Sequence, residues 1–91
     1  MEYGDFEWDD AKAESNIAKH GVSFEAAALA MTDPYSVDFA DAVYPTNICT
    51  LAASPDGRTL HVVSTVVSER IRIISARLAT RHERRLYEGP D

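Results

Sequence analysis

Four apolar runs separated by short polar links constrain the fold of this chain more than any other feature. The runs occupy residues 35–43, 48–53, 59–67 and 71–77, and their β-branched residues favour extended structure. The link Ser54-Pro55-Asp56-Gly57 predicts a turn, because proline presets one backbone dihedral and glycine accepts positive φ. Short links favour antiparallel pairing of consecutive strands over crossovers. The pattern therefore predicts four antiparallel strands.

The last run predicts two different sheet faces, because side chains alternate along a strand. Regular alternation places one group on one face and a second group on the other. The first group is Ile71, Ile73, Ser75 and Arg77, and the second is Arg70, Arg72, Ile74 and Ala76.

Two helices are predicted before these strands. Residues 11–20 are good helix formers, and one of the two preceding aspartates can accept hydrogen bonds from the free amides of the first turn. Gly21 has the conformational freedom to close this helix in a left-handed conformation. Ser23 is the N-cap of a second, alanine-rich helix over residues 24–31.

A short strand at residues 5–8 and a C-terminal helix complete the predicted elements. Thr80 and Glu83 have the spacing of a capping box, which begins a helix that runs through Tyr87. The predicted order is β-α-α-β-β-β-β-α, an α+β fold with helices packed on a sheet of four antiparallel strands, or five with the first segment. At this length the chain is expected to form one domain over residues 1–91.

Composition excludes several classes of protein. The chain is 45% hydrophobic and 26% charged, as in globular domains rather than disordered ones. No apolar run reaches the roughly 18–20 residues that span a bilayer, and no secretory pattern opens the chain, so no membrane association is expected. The single Cys49 and three scattered histidines predict no disulfide, metal or cofactor, and a reducing, cytoplasmic location.

Charge is distributed unevenly along the sequence. Residues 1–45 contain ten acidic and two basic side chains, whereas residues 46–91 contain seven arginines and five acids. Six of these arginines lie between residues 70 and 85, and planar guanidinium groups suit phosphate binding. The pattern leaves two interpretations open, a nucleic-acid surface or internal pairing of the two halves.

Among the histidines, His20 is the candidate for chemistry, since it closes the first helix and a histidine that titrates near neutral pH can transfer protons. The alternative is a capping histidine that binds the last carbonyls of the helix. Cys49 and His61 lie in predicted strands. We interpret Cys49 as a buried small hydrophobe and His61 as a structural or edge residue.

Three spaced motifs resemble the BrnT toxin family. They read FEWD at residues 6–9, KHGVSF at 19–24 and RIISAR at 72–77. Further matching residues are Lys12, Asn16, Glu83, Arg84 and Tyr87. The resemblance covers about residues 5–88, which is nearly the whole chain.

This resemblance implies a fold similar to RelE-type ribonucleases, with helices on a small antiparallel sheet. It implies a toxin of a bacterial type II toxin–antitoxin pair that cleaves RNA without a metal and blocks translation. The implied partner is a DNA-binding, BrnA-like antitoxin, typically in a heterotetramer. Contact with DNA would then be indirect, through the antitoxin that represses the shared operon.

The resemblance also suggests site residues. Metal-free RNA cleavage needs a base, an acid and cations that stabilise the transition state. His20 is the candidate proton-transfer group and Arg77 the candidate phosphate stabiliser, with Lys19 and Arg72 assisting. The arginine run itself adds Arg70 and Arg81 as candidate RNA-binding residues, and Arg84 and Tyr87 are candidates that also match the family.

Two departures from the family pattern leave a second hypothesis open. Members commonly carry an arginine where this chain has Asn47, and Glu-Arg where it has Val66-Val67. Loss of two cations would weaken a site that depends on electrostatic stabilisation. The alternative to an active nuclease is therefore a catalytically weak module that binds the antitoxin and contributes to operon repression.

Overall fold

The computed structural model describes residues 1–89, so the last two residues of the predicted 1–91 domain lie outside it. It contains three helices, α1 (Asp10–His20), α2 (Phe24–Ala30) and α3 (Arg81–Glu88). Its strands are β1 (Glu2–Tyr3), β2 (Phe6–Glu7), β3 (Val37–Ala40), β4 (Ile48–Ala53), β5 (Thr59–Val67) and β6 (Arg70–Leu78). The predicted helices and the four strand runs are confirmed, although β3 is shorter than its apolar run.

The predicted local stop and start signals are present. Asp9, Ser23 and Thr80 each accept a hydrogen bond from a backbone amide of the helix that follows, and the Thr80 capping box is complete. Gly21 closes α1 in the left-handed region, with φ of 69°. Glycine adopts this conformation without the steric cost of a Cβ atom.

The sheet differs from the prediction of four or five antiparallel strands. Its six strands have the order β1-β2-β6-β5-β4-β3, and β2 runs parallel to β6, with Phe6 opposite Ile71. Short links determine only which consecutive strands pair. The partner of β2 lies more than sixty residues away, so the mixed sheet could not be inferred from spacing.

The main core lies between one face of the sheet and helices α1 and α2, and we call this the core face. Its fully buried side chains include Phe24 of α2, Leu60 and Val62 of β5, and Ile73 of β6. The ring of Trp8 packs edge-on against Phe24, with centroids 6.0 Å apart. Burial of these apolar groups is the main source of stability in a domain of this size.

A β-bulge at Ile74 corrects the predicted faces of β6. Ser64 pairs with Ile73 while Val63 pairs with Ser75, which leaves Ile74 without a partner. An extra residue of this kind reverses the alternation of side chains beyond it. The core face therefore receives Ile71, Ile73 and Ala76. The opposite face, which we call the arginine face, receives Arg70, Arg72, Ser75 and Arg77.

Helix α1 is attached to β6 by a polar side chain. Asn16 is the one buried residue of α1. Its Nδ2 donates to the carbonyl oxygens of Ala76 at 2.7 Å and Val22 at 2.9 Å, and its Oδ1 accepts from the amide of Ala76 at 3.2 Å. The carboxamide thus satisfies the edge of β6 beyond the end of β2, as a neighbouring strand would.

Helix α3 covers one end of the arginine face. It packs on β4, where Leu51 is fully buried, and Tyr87 donates a hydrogen bond to Asp33. The rest of the arginine face carries no helix among residues 1–89. The three helices of the described residues therefore lie on both faces of the sheet.

Candidate functional site

Lys19 and His20 are both exposed at the end of α1. Together with Ile74 and Ser75 of β6 they line a surface depression of about 180 Å³. Gly21 ends the helix at this point, and the bulge turns Ser75 toward the arginine face. The depression therefore opens at the margin of the arginine face and brings a lysine and a histidine beside it.

Arg72 and Arg77 flank Ser75 on the arginine face. The guanidinium of Arg72 donates from Nη1 to Glu7 Oε2 at 2.8 Å, and its side chain remains 40% exposed. Without the bulge, the odd spacing from Arg72 to Ser75 would place these residues on opposite faces. Of the four predicted catalytic residues, Lys19 and His20 line the depression with Ser75, and Arg72 and Arg77 lie on either side of Ser75 along β6, outside its lining.

Arg77 is held by a bidentate ion pair with Glu83 of α3. Its Nη1 donates to Oε1 at 2.7 Å and its Nη2 to Oε2 at 3.0 Å, and Nη1 also donates to the carbonyl of Leu78. The Arg77 side chain remains 37% exposed, whereas that of Glu83 is only 15% exposed. Such forked pairs restrict the guanidinium to one orientation.

His61 lies beneath this ion pair. It is opposite Arg77 in the ladder between β5 and β6, its Nε2 is 3.7 Å from Glu83 Oε2, and its ring packs edge-on against Phe39. The residue is buried, and its Nδ1 has no hydrogen-bond partner. His61 is therefore a structural residue, as predicted, but it is not exposed at an edge.

The contacts of this cluster determine its ionisation. The hydrogen bonds from Arg77 are the main reason that the pKa of Glu83 falls from 4.5 to about 2. Burial, followed by the charge of Arg77, lowers the pKa of His61 and favours its neutral form. Burial also raises the pKa of the Cys49 thiol, which agrees with the interpretation of Cys49 as an inert hydrophobe.

The predicted RNA-binding residues are more widely separated. Arg70 lies on the arginine face and donates to Glu2 and to the Gly4 carbonyl. Arg84 lines a different depression, beside the turn at Gly57. The remaining two residues lie on α3, and they are the exposed Arg81 and the partly buried Tyr87.

Tyr87 is engaged within the protein. Its hydroxyl donates to Asp33, and this contact is the main reason that the pKa of Tyr87 rises to about 12. Its hydroxyl is therefore committed to holding α3 against the loop that follows α2.

The sequence assigned no role in this site to three contributors, namely Asn16 and Ser75, which both match the family motifs, and the Ile74 bulge. The position of Asn16 inside a helix could have indicated a structural role, since asparagine is unfavourable there unless its side chain has a specific partner. The bulge had no signal in the residue pattern. Glu83 is predicted as a cap, and the structure shows this contact together with the ion pair to Arg77.

Acid is expected to destabilise the protein in two stages. The folded-state pKa of His61 is below its unfolded value of 6.5, so the unfolded chain binds this proton first and stability falls below about pH 6.5. Glu83 stabilises the fold fully above its unfolded pKa of 4.5, and that contribution is lost as the pH falls toward 2. We expect the Glu83 part to be about 2 kcal/mol, since the partly exposed Arg77 is screened by solvent.

Urea denaturation followed across this pH range measures the effect. Glu83→Gln should give a flatter dependence of unfolding free energy on pH below 4.5, because it removes the titrating group and retains a helix cap. Glu88→Gln, an exposed acid on the same helix, is the matched control and should keep the wild-type slope. Equal slopes for wild type and Glu83→Gln would contradict the assignment.

Two features of the described residues bear on the class of protein. No helix within residues 1–89 is long and apolar enough to cross a membrane. The same residues contain no group of three His, Cys, Asp or Glu side chains arranged to hold a metal ion. The fold and site define a small α+β protein. One face of its sheet carries arginines, is covered by a helix at one end only, and lies beside an exposed lysine and histidine.

Comparison with known proteins identifies the family. The model of the ribonuclease toxin BrnT of type II toxin–antitoxin systems matches residues 8–83. This chain therefore belongs to the BrnT family of ribonuclease toxins. Membership implies an antitoxin partner and an RNA target.

A solved structure supports the fold. The 1.1 Å crystal structure of the Brucella abortus ribonuclease toxin BrnT superposes with a TM-score of 0.67 at 22% identity, over 81% of this chain and 94% of the other. No curated protein sequence matches this chain. The expected similarity to RelE-type ribonucleases stays a prediction.

Proposed function

We propose that this protein is a toxin that cleaves RNA without a metal, inhibits translation in the cytoplasm, and is neutralised by a DNA-binding, BrnA-like antitoxin in a heterotetramer. One observation carries the proposal. The bulge at Ile74 directs Arg72, Ser75 and Arg77 to one open face, beside the depression lined by His20. This arrangement suits a phosphodiester held between cations and a proton-transfer group.

The chemistry requires no group beyond these side chains and the RNA. The 2′-hydroxyl attacks the adjacent phosphorus and loses its proton to a base, while the P–O5′ bond breaks and O5′ accepts a proton. His20 serves as the proton-transfer group, with Lys19 beside it. The products are a 2′,3′-cyclic phosphate and a free 5′-hydroxyl, so atoms and charge balance.

The two arginines retain donors for a phosphate despite their internal pairs. A guanidinium carries five N–H groups, of which Arg77 uses three and Arg72 one within the protein. Both side chains are more than a third exposed. Arg77 would stabilise the negative charge that develops on the phosphate, and Arg72 would assist from the other side of Ser75.

A second candidate function is favoured by the internal ion pairs. Arg70, Arg72 and Arg77 each have a carboxylate partner, which reduces the positive potential that an RNA strand would meet. Val67 lies opposite Arg70 in the ladder, so a cation expected at this position is absent next to those arginines. The alternative is a weak or inactive toxin that binds the antitoxin and contributes to operon repression.

Induced expression in a bacterial host that lacks the antitoxin distinguishes the two functions. An active toxin should arrest growth and degrade RNA, and His20→Ala should abolish both effects. His82→Ala, at an exposed histidine of α3, is the matched control and should remain toxic. Normal growth and intact RNA with soluble, folded protein would reject the nuclease and favour the repressing module.

Metal independence is tested with the purified protein. Cleavage of total RNA by purified protein should persist in the presence of a strong chelator, because protein side chains supply every charge that the reaction needs. Cleavage that stops on chelation and returns with added divalent cation would contradict this part of the proposal.

A further inference from the structure

Strand β3 forms an open edge of the sheet. It pairs with β4 on one side and has no strand on the other within residues 1–89. The amide of Asp41, directly after β3, donates to the carbonyl oxygen of Asn47, directly before β4. Along a strand of an antiparallel pair, successive residues direct their backbone amide and carbonyl alternately toward and away from the partner strand. The backbone groups of Asp38 and Ala40 therefore point away from β4, toward the open side.

This edge is only partly protected against pairing, since Asp38 is the one charged residue of β3. Natural edge strands are commonly blunted by lysine, proline, a bulge or very short length, and β1 at the other edge has only two residues. The four residues of β3 contain no lysine or proline, and each is exposed. Large apolar side chains lie on β3 and next to it, with exposed fractions between 37% and 78%. They are Tyr35, Val37, Phe39, Val43, Tyr44 and Ile48.

The chain segment that contains this edge carries charges of one sign. Between Lys19 and Arg58 the sequence contains no lysine or arginine, whereas it contains five acids. Asp38 lies on β3 and Asp41 follows it directly. A basic partner strand would meet these carboxylates favourably, and opposite charges steer association.

The same charges disfavour a second copy of this chain as the occupant. Pairing of two β3 strands would bring Asp38 and Asp41 of both copies together, and like charges across a strand pair are destabilising. The net charge of −6 adds to this repulsion. The edge therefore fits a different protein that carries basic and apolar residues.

We propose that β3 is the docking edge for the antitoxin, which adds a basic, apolar strand to the sheet. The proposal rests on the proposed function, since it names where the implied partner binds. Main-chain hydrogen bonds to Asp38 and Ala40 provide affinity, and contacts with Phe39 and its neighbours provide specificity. Phe39 packs against His61, which lies beneath the Arg77–Glu83 pair, so the docking edge adjoins one end of the arginine face.

A proline substitution tests the edge directly. Ala40→Pro removes one outward amide while it leaves the bonds to β4, because proline is tolerated where its nitrogen faces away from the ladder. Ala40→Val keeps the amide and is the matched control. The probe is the product of the gene adjacent to this one, titrated against the full chain. Loss of one hydrogen bond and a clash with the ring should weaken binding by about tenfold or more for Ala40→Pro and by less than about threefold for Ala40→Val.

A second measurement needs no variant. Amide hydrogen exchange read residue by residue should slow at Asp38 and Ala40 when the wild-type complex forms. Tight binding without protection at these amides would overturn the docking edge while the proposed function stands. No binding by the adjacent gene product would overturn both the docking edge and the antitoxin partner of the proposed function. A dimer of this chain that Ala40→Pro dissolves would assign the edge to a second copy instead.

Discussion

Replacement of Asn16 by alanine is expected to lower the free energy of unfolding by about 3 kcal/mol or more, because three buried hydrogen bonds are lost at once. The amide and carbonyl of Ala76 and the carbonyl of Val22 would lose their partner at a site that is 6% exposed. Apart from Asn16, α1 contributes only the partly buried Ala13 to the core cluster, and Ile17 is 50% exposed. Urea denaturation at neutral pH measures the loss.

Two further variants sharpen this test. Ser15→Ala changes an exposed neighbour on the same helix and should stay within about 0.5 kcal/mol of wild type. Asn16→Asp should be worse than alanine at neutral pH, because a carboxylate would face two carbonyl oxygens, and it should recover as acid protonates it. An Asn16→Ala protein within about 1 kcal/mol of wild type would show that the contact is dispensable.

The second large effect is expected in RNA cleavage. Replacement of His20 by alanine should reduce kcat/KM by about 10²–10⁴-fold, the usual contribution of a general acid or base. It should also remove a limb of the pH–rate profile, which a loss of folding would not do. Single-turnover cleavage of a defined RNA measures both, and His82→Ala should match the wild type.

The phosphate contact has a different signature. Arg77→Lys should reduce kcat/KM by about 10²-fold without a change in the shape of the pH profile, because it keeps the charge and loses the forked geometry. Arg85→Ala, an exposed arginine of α3, is the control and should retain the wild-type rate. Wild-type rates for both His20→Ala and Arg77→Lys would place the chemistry elsewhere on the chain.

Internal pairing of the arginines is the reason that two functions, an active nuclease and a weak or inactive toxin, are both candidates. Both interpretations of the arginine run were open from the sequence, a phosphate surface and an internal neutralisation. The structure shows the pairing of Arg70, Arg72 and Arg77 with acids and also leaves all three side chains partly exposed.

Local features of the fold were predictable because they depend on neighbours within a few residues. The caps at Asp9, Ser23 and Thr80, the left-handed Gly21 and the turn at residues 54–57 follow from backbone chemistry in their own segments. The same holds for the four strand runs and the antiparallel pairing of the consecutive ones. The family motifs identified the chain for a related reason, since their order and spacing are properties of the sequence itself.

The tertiary structure alone decided the features that join distant segments. Asn16 reaches Ala76 across 60 positions, and Arg72 reaches Glu7 across 65. The parallel pairing of β2 with β6 depends on how the two strands pack within the whole fold, and the local residue pattern carries no information about that packing. The bulge at Ile74 also depends on tertiary packing. Arginine and isoleucine residues occur on both faces of a regular β6 strand, so the local pattern does not determine which face is buried. Through it the structure, and not the sequence pattern, placed Arg72, Ser75 and Arg77 on one face.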